Sequence, residues 1–147
     1  MEKFKIDIFN NNNNNKSFPF FEIVTEEGCN IIETSVLKKL HFIDNDHVTP
    51  IEILKYIREK SKLLLNINAQ SGDFNFEQLI NNLLIEKPDY ININWNDFEN
   101  IDRFKFNDFS NYFSDIWYAG PDDIELFPDD ISWIICIDAI GDIFLYT

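Results

Sequence analysis

The run Tyr90-Ile91-Asn92-Ile93-Asn94-Trp95 is where the hydrophobic period of the chain changes, and that change decides the fold. Tyr90, Asn92 and Asn94 alternate with Ile91, Ile93 and Trp95, which predicts a strand with one polar face. Upstream the period is helical. Thr49-Pro50-Ile51-Glu52 offers an N-cap hydroxyl, a proline at the first helical position and a glutamate placed to close a capping box. The helix that follows has an inner stripe of Ile53, Leu54, Ile57, Ser61 and Leu64, with Glu52, Lys55, Arg58, Glu59 and Lys62 on its solvated side. Ser71-Gly72-Asp73 breaks the chain. Phe76, Leu79, Ile80, Leu83 and Leu84 then recur at steps of three and four, giving a second amphipathic helix stopped by Pro88.

Downstream of Trp95 the chain is aromatic and irregular from Phe98 to Phe113, with room for a short helix, and then reads as β. Asp115 to Ala119 leads into Gly120-Pro121. Trp133 to Ile137 is apolar on both faces and reads as a central strand, and Gly141 turns the chain into Ile143 to Tyr146. Near the start, Phe4, Ile6 and Ile8 alternate with Lys3, Lys5 and Asp7 as in a half-buried strand. Phe18 to Val24 is a second strand, Glu27-Gly28 a turn before Ile31 and Ile32, and Thr34 to Phe42 a short helix. Residues 10–16, built on the run Asn10 to Asn15, read as a mobile loop, because an asparagine run buries no apolar surface. The order strands, helices, strands predicts one α+β domain over 1–147, a largely antiparallel sheet with two to three helices packed on one face.

The 147 residues suffice for one core, and with only Cys29 and Cys136 the chain has no disulfide framework, as expected for a reducing compartment. A cytoplasmic protein is the expectation. The asparagine run interrupts any signal-like segment, and nothing approaches the roughly 20 apolar residues of a membrane span. Cys136 reads as a core thiol, whereas Cys29, beside Gly28 in the predicted turn, reads as more exposed.

Charge is the strongest functional signal. The net charge is −14, and no Lys or Arg follows Lys105, although nine acidic residues do. Residues 97–147 carry 12 acidic and 2 basic side chains, against 14 and 10 before them. Trp117, Tyr118, Phe127, Trp133, Phe144 and Tyr146 interleave these acids, so the region is a packed one with carboxylates around it rather than a disordered tail. Such a field repels nucleic acid and anionic membranes and points to a basic protein partner. The alternative reading of the same charge is solubility alone.

Specific chemistry is weakly signalled. Asp122, Asp123, Asp129 and Asp130 lack the alternating ligand spacing and glycine of a calcium loop, and no phosphate-cradling glycine loop accompanies them. His41 and His47, flanking Asp44 and Asp46, are six apart, matching neither a helical pair nor a zinc-finger spacing. The chain contains no Gly-x-Ser-x-Gly and no Cys-x-x-Cys. These readings lead to no catalytic residue, no metal and no cofactor.

The segment Trp117-Tyr118-Ala119-Gly120-Pro121-Asp122-Asp123-Ile124-Glu125-Leu126-Phe127, followed by Trp133-Ile134-Ile135-Cys136-Ile137-Asp138 and Gly141-Asp142-Ile143-Phe144, resembles the C-terminal portion of small bacterial immunity proteins encoded beside polymorphic toxins. The resemblance implies a non-enzymatic protein that inactivates a cognate toxin by binding it, with acidic surfaces against a basic domain. The candidate partner-binding residues are Asp122, Asp123, Glu125, Asp129, Asp130, Trp117 and Tyr118. The competing expectations are a generic interaction or adaptor domain, and a hydrolase using the acidic cluster.

Overall fold

The computed structural model describes residues 1–13, 16–42, 48–95 and 97–147. Among these residues seven strands, β1 (Phe21–Ile23), β2 (Lys62–Asn68), β3 (Tyr90–Asn94), β4 (Ile101–Lys105), β5 (Ile124–Phe127), β6 (Ile134–Ile137) and β7 (Asp142–Tyr146), form one antiparallel sheet in the order β1-β4-β3-β5-β6-β7-β2. The α+β class and the antiparallel sheet agree with the sequence. β6 is flanked by β5 and β7 and buried along its whole length, as the two-sided apolarity of Trp133 to Ile137 requires.

The helices are α1 (Lys3–Asn12), α2 (Glu26–Lys39), α3 (Pro50–Lys60), α4 (Phe76–Leu83), α5 (Phe106–Asn111) and α6 (Phe113–Ile116). They exceed the two or three expected and cover both sides of the sheet. α4, α5 and α6 bury Phe76, Phe106, Phe109 and Phe113 against Ile91, Ile93, Phe104, Ile124, Leu126 and Ile135. α2 and α3 bury Cys29, Val36, Ile53 and Ile57 against the other face, at Ile101, Phe127, Ile134 and Cys136. The alternation of side chains along β3 to β7 makes this possible, since every interior strand has two faces to cover.

α3 begins as read. Thr49 accepts from the Glu52 N–H, and the Glu52 carboxylate accepts from the Thr49 N–H, closing the capping box. It stops at Lys60, however, and Leu64 belongs to β2, an edge strand. Within the helix Lys55 pairs with Glu59 at 3.9 Å, and Lys62 lies in the strand. α4 agrees with its periodicity, capped by Asn75 and ended by Leu84 in a left-handed conformation four residues before Pro88.

Three N-terminal expectations are overturned. The alternating Phe4, Ile6 and Ile8 lie on helix α1, whose buried residues are Lys5 and Phe9, one helical turn apart. A buried lysine carrying the inner face is what made the pattern look two-fold. Asn10 to Asn12 complete that helix instead of forming a loop, and Asn13 closes it by donating twice to the Phe9 carbonyl; Asn14 and Asn15 lie outside the described residues. Glu27-Gly28 is not a turn but the first turn of α2, capped by the Thr25 hydroxyl. Cys29 is therefore buried, not exposed, like Cys136.

The irregular stretch after Trp95 resolves into β4, α5 and α6, and Asp115 to Ala119 is the end of α6 and an extended link rather than a strand. β3 has no solvated polar face: Asn92 and Asn94 are buried along with Ile91 and Ile93. Of the histidine and aspartate group, Asp44, Asp46 and His47 lie outside the described residues, and His41 ends α2's trailing turn with φ 61°.

Candidate functional site

The acidic third lacks cations in sequence but not in space. Lys5, Arg58 and Arg103, from three earlier elements, each reach into it and divide the candidate residues into three groups.

Asp122 forms the first group with Trp117 and Tyr118. It is 4% exposed, and its Oδ2 accepts from Lys5 Nζ at 2.6 Å and from the Tyr118 N–H at 2.6 Å. The Trp117 indole donates to the Asp122 carbonyl at 3.2 Å. Lys5 is wholly buried, donates to the Ile116 carbonyl at 3.0 Å, and sits 4.0 Å from the centre of the Trp95 ring. The Met1 amino group and the Trp95 indole both meet Asp102 alongside. Asp122 and Trp117 are thus absent from any exposed face: they form the internal lock that fastens α1 to the sheet. Tyr118 is half-buried beside them, and burial, then Asp115 and Asp122, raises its phenol above the ordinary tyrosine range.

Asp129 and Asp130 form the second group. Asp129 makes a two-pronged pair with Arg103 at 3.1 and 2.6 Å, and Asn92 also donates to it at 3.0 Å. The guanidinium bond holds its carboxyl below the usual range. Arg103 stacks over Tyr90 and pairs on its other side with Glu22. Asp130 is exposed, and its carboxylate caps the Ser132 N–H.

Asp123 and Glu125 belong to the third group, which is concave. A cavity of about 580 Å³ opens between α3, the entry to β5 and the β6–β7 turn, lined by Ile51, Leu54, Lys55, Arg58, Asp97, Asp123, Glu125, Asp138, Ala139 and Ile140. Arg58 bonds Asp123 at 2.9 Å and Asp138 at 3.3 Å, and its guanidinium lies 4.4 Å from the centre of the Phe144 ring. The β6–β7 turn holds Asp138 in place. The Asp138 carboxylate accepts from the Ile140 and Asp142 N–H groups, and Gly141 takes φ 82° against Asn68, where a Cβ has no room.

Glu125 lies at the floor of this cavity, 6% exposed. Its Oε2 accepts from Asn94 Nδ2 at 2.8 Å, and no cation stands within ion-pairing distance among the described residues. Asn94 in turn accepts from the Phe98 N–H, which fixes the turn bearing Asp97. Burial outweighs the Asn94 bond and the more distant Arg58, and pushes the carboxyl up to about 7. Opposite it across the β5–β6 pair, burial holds the Cys136 thiol well above its ordinary value, which disfavours the thiolate.

Comparison of the chain with protein-family models, with curated proteins and with solved structures finds no match. Among the described residues, no three His, Cys, Asp or Glu side chains are grouped to hold a metal ion, and no helix is long and apolar enough to cross a membrane.

The sequence reading missed Arg58, Asp97 and Asp138. Arg58 read as a solvated helix charge, and no spacing in the chain links it to Asp123 or to Asp138 across the sheet. A signal did exist for Glu125: it lies between Ile124 and Leu126 in an apolar strand, a position that buries one carboxylate whichever way the strand faces.

Proposed function

We propose that this protein is a non-enzymatic, immunity-type binding protein that neutralises a basic toxin domain by direct contact, with the cavity between α3, β5 and the β6–β7 turn at the centre of the contact. The observation that carries the reading is the make-up of the cavity mouth. Ile51 and Ile140 are 68% and 64% exposed beside Asp123, Asp97 and Asp138, with Lys55 and Arg58 on the α3 side, an apolar anchor within a charged rim where carboxylates outnumber cations. A net charge of −14 steers cationic partners toward such a surface and speeds their capture. Trp117 and Asp122 are buried away from any contact surface, Asp123, Asp129 and Asp130 are exposed, and Glu125 is reached only through the cavity.

The test is co-expression with the protein encoded beside this one in its own genome, scored for rescue of growth and for association kinetics. Rescue that Asp123→Lys and Ile140→Lys abolish supports the reading. Rescue unaffected by both substitutions, or a neighbouring product that is neither basic nor toxic, refutes it. One observation favours a second reading: a buried carboxyl titrating near 7 in a cavity has the properties of a general acid or base, as in a hydrolase. Turnover abolished by Glu125→Gln separates that reading from the first.

A further inference from the structure

We infer that the cavity above Glu125 is a seat for one lysine side chain of the partner, its ammonium meeting the Glu125 carboxylate at the floor and its methylene stem lying along the aliphatic mouth. This rests on the reading that the partner is a basic protein, and adds which side chain is recognised and what is exchanged on binding.

Three features define the occupant. The floor carboxyl is buried, and among the described residues only Asn94 donates to it, at Oε2; no donor there reaches Oε1. One open acceptor oxygen suits a point-charge ammonium better than a guanidinium, which gains most from two parallel bonds. The walls are charged but occupied: Arg58 is held by Asp123, Asp138 and the Phe144 ring, so it does not fill the place of the missing cation. The mouth is aliphatic at Ile51, Leu54 and Ile140, which matches the apolar stem of a lysine whose head group lies deeper. A volume of about 580 Å³ takes that side chain with the backbone that carries it.

Charge around the floor points the same way. Arg58 and Lys55 face it from α3, Asp97 from the β3–β4 turn, Asp123 from the entry to β5 and Asp138 from the β6–β7 turn, with the Cys136 thiol beside it on β6. Three carboxylates oppose two cations before Glu125 is counted, so an incoming ammonium is not repelled. Burial raises the Glu125 carboxyl to about 7, so near neutral pH part of it holds a proton. Ammonium binding favours the ionised form, so the proton leaves to solvent and the two charges pair.

The experiment uses the whole protein and three blocked pentapeptides of otherwise identical, uncharged sequence, with a central lysine, arginine or Nε-acetyllysine. Carboxyl-carbon NMR follows the titration of Glu125 at low salt. The lysine peptide is expected to lower the Glu125 midpoint by about one pH unit and to bind with proton release near pH 7, detected as buffer-dependent heat. The acetyllysine peptide should do neither, and Glu125→Gln should abolish the proton release while keeping the fold. If the lysine peptide shifts only exposed carboxylates such as Asp123 and leaves Glu125 unmoved, the seat is refuted while the basic-partner reading stands. An arginine peptide that shifts Glu125 more than the lysine peptide refutes lysine as the occupant. Absence of binding by both cationic peptides refutes the seat, and the genetic rescue test then decides the wider reading independently.

Discussion

Asp122 and Glu125 stand three residues apart, both almost fully buried, yet their surroundings differ. Asp122 meets an ammonium and a backbone N–H at 2.6 Å each, while Glu125 has one amide and a cavity above it. The first belongs to the side of the sheet packed by aromatic helices, where the buried charges are matched in contact. The second belongs to the side under α2 and α3, where the row Asn92, Asn94 and Glu125 runs through the core. The difference teaches that buried charge has two uses here. On the aromatic side it fastens an N-terminal helix; on the other it leaves an acid short of a cation beneath an open mouth.

The largest effect should come from breaking the matched side. Lys5→Met keeps most of the stem packing but leaves Asp122 buried without its cation, a change that typically costs about 3–5 kcal/mol. Chemical denaturation at neutral pH measures it. A loss below about 1 kcal/mol would mean that Asp122 is held by Tyr118 and solvent instead, and the contrast with Glu125 would collapse.

The unmatched side predicts the opposite sign. A carboxyl at about 7 in the folded protein and near 4.5 when unfolded binds more protons in the native state between those values. Stability from this group is therefore full below pH 4.5, falls as pH rises toward 7, and is lost above it. The span corresponds to at most about 3 kcal/mol. Glu125→Gln should remove the fall, making the variant more stable than the parent at pH 8.5 and nearly equal to it at pH 4.5. Thermal unfolding across that range reads the difference; parallel curves for the two proteins would show that Glu125 titrates normally.

A smaller effect should follow from loosening the turn that closes the cavity. Gly141→Ala places a side chain at φ 82° and drives its Cβ into Asn68, whose amide binds the Ile140 carbonyl. The left-handed conformation alone costs about 1–2 kcal/mol, with the displaced Asn68 adding to it. The same substitution at Gly120, φ 98° with open space around it, should cost only the conformational part. Equal losses at the two glycines would deny that the turn's fit against β2 matters.

The fold was legible wherever a pattern was local. The capping box at Thr49, the steps from Phe76 to Leu83, the existence of β3 as a strand and the two-sided apolar run of β6 all appear in place, although the polar face expected of β3 is buried. What was illegible depends on contacts between distant segments. Lys5 takes an inner helical position because Asp122, 117 residues away, receives it, so α1 looked like a strand. Arg103 and Arg58 neutralise acids far along the chain, so the acidic third looked unopposed. The candidate site was half legible. Asp123 and Glu125 do share a cavity, but Asp97, Asp138 and Arg58 reach it only through the sheet order.

The smallest effect on stability, and the sharpest on association, should come from the rim. Asp123 is 63% exposed, and its partner Arg58 keeps Asp138 and the Phe144 ring when Asp123 is reversed. Asp123→Lys should therefore change stability by less than about 1 kcal/mol, as exposed pairs do. Reversing Asp122 or Glu125 instead puts a lysine against Lys5 or into the cavity floor, and should impair folding. The rim substitution separates recognition from stability. If carboxylates at the mouth steer a basic partner, Asp123→Lys should slow association severalfold at low ionic strength, and the difference should shrink as salt shortens the screening length to about 8 Å and below. Stopped-flow mixing at several salt concentrations resolves this. An unchanged rate at every salt concentration would leave the net charge as a matter of solubility, and the cavity mouth without a part in capture.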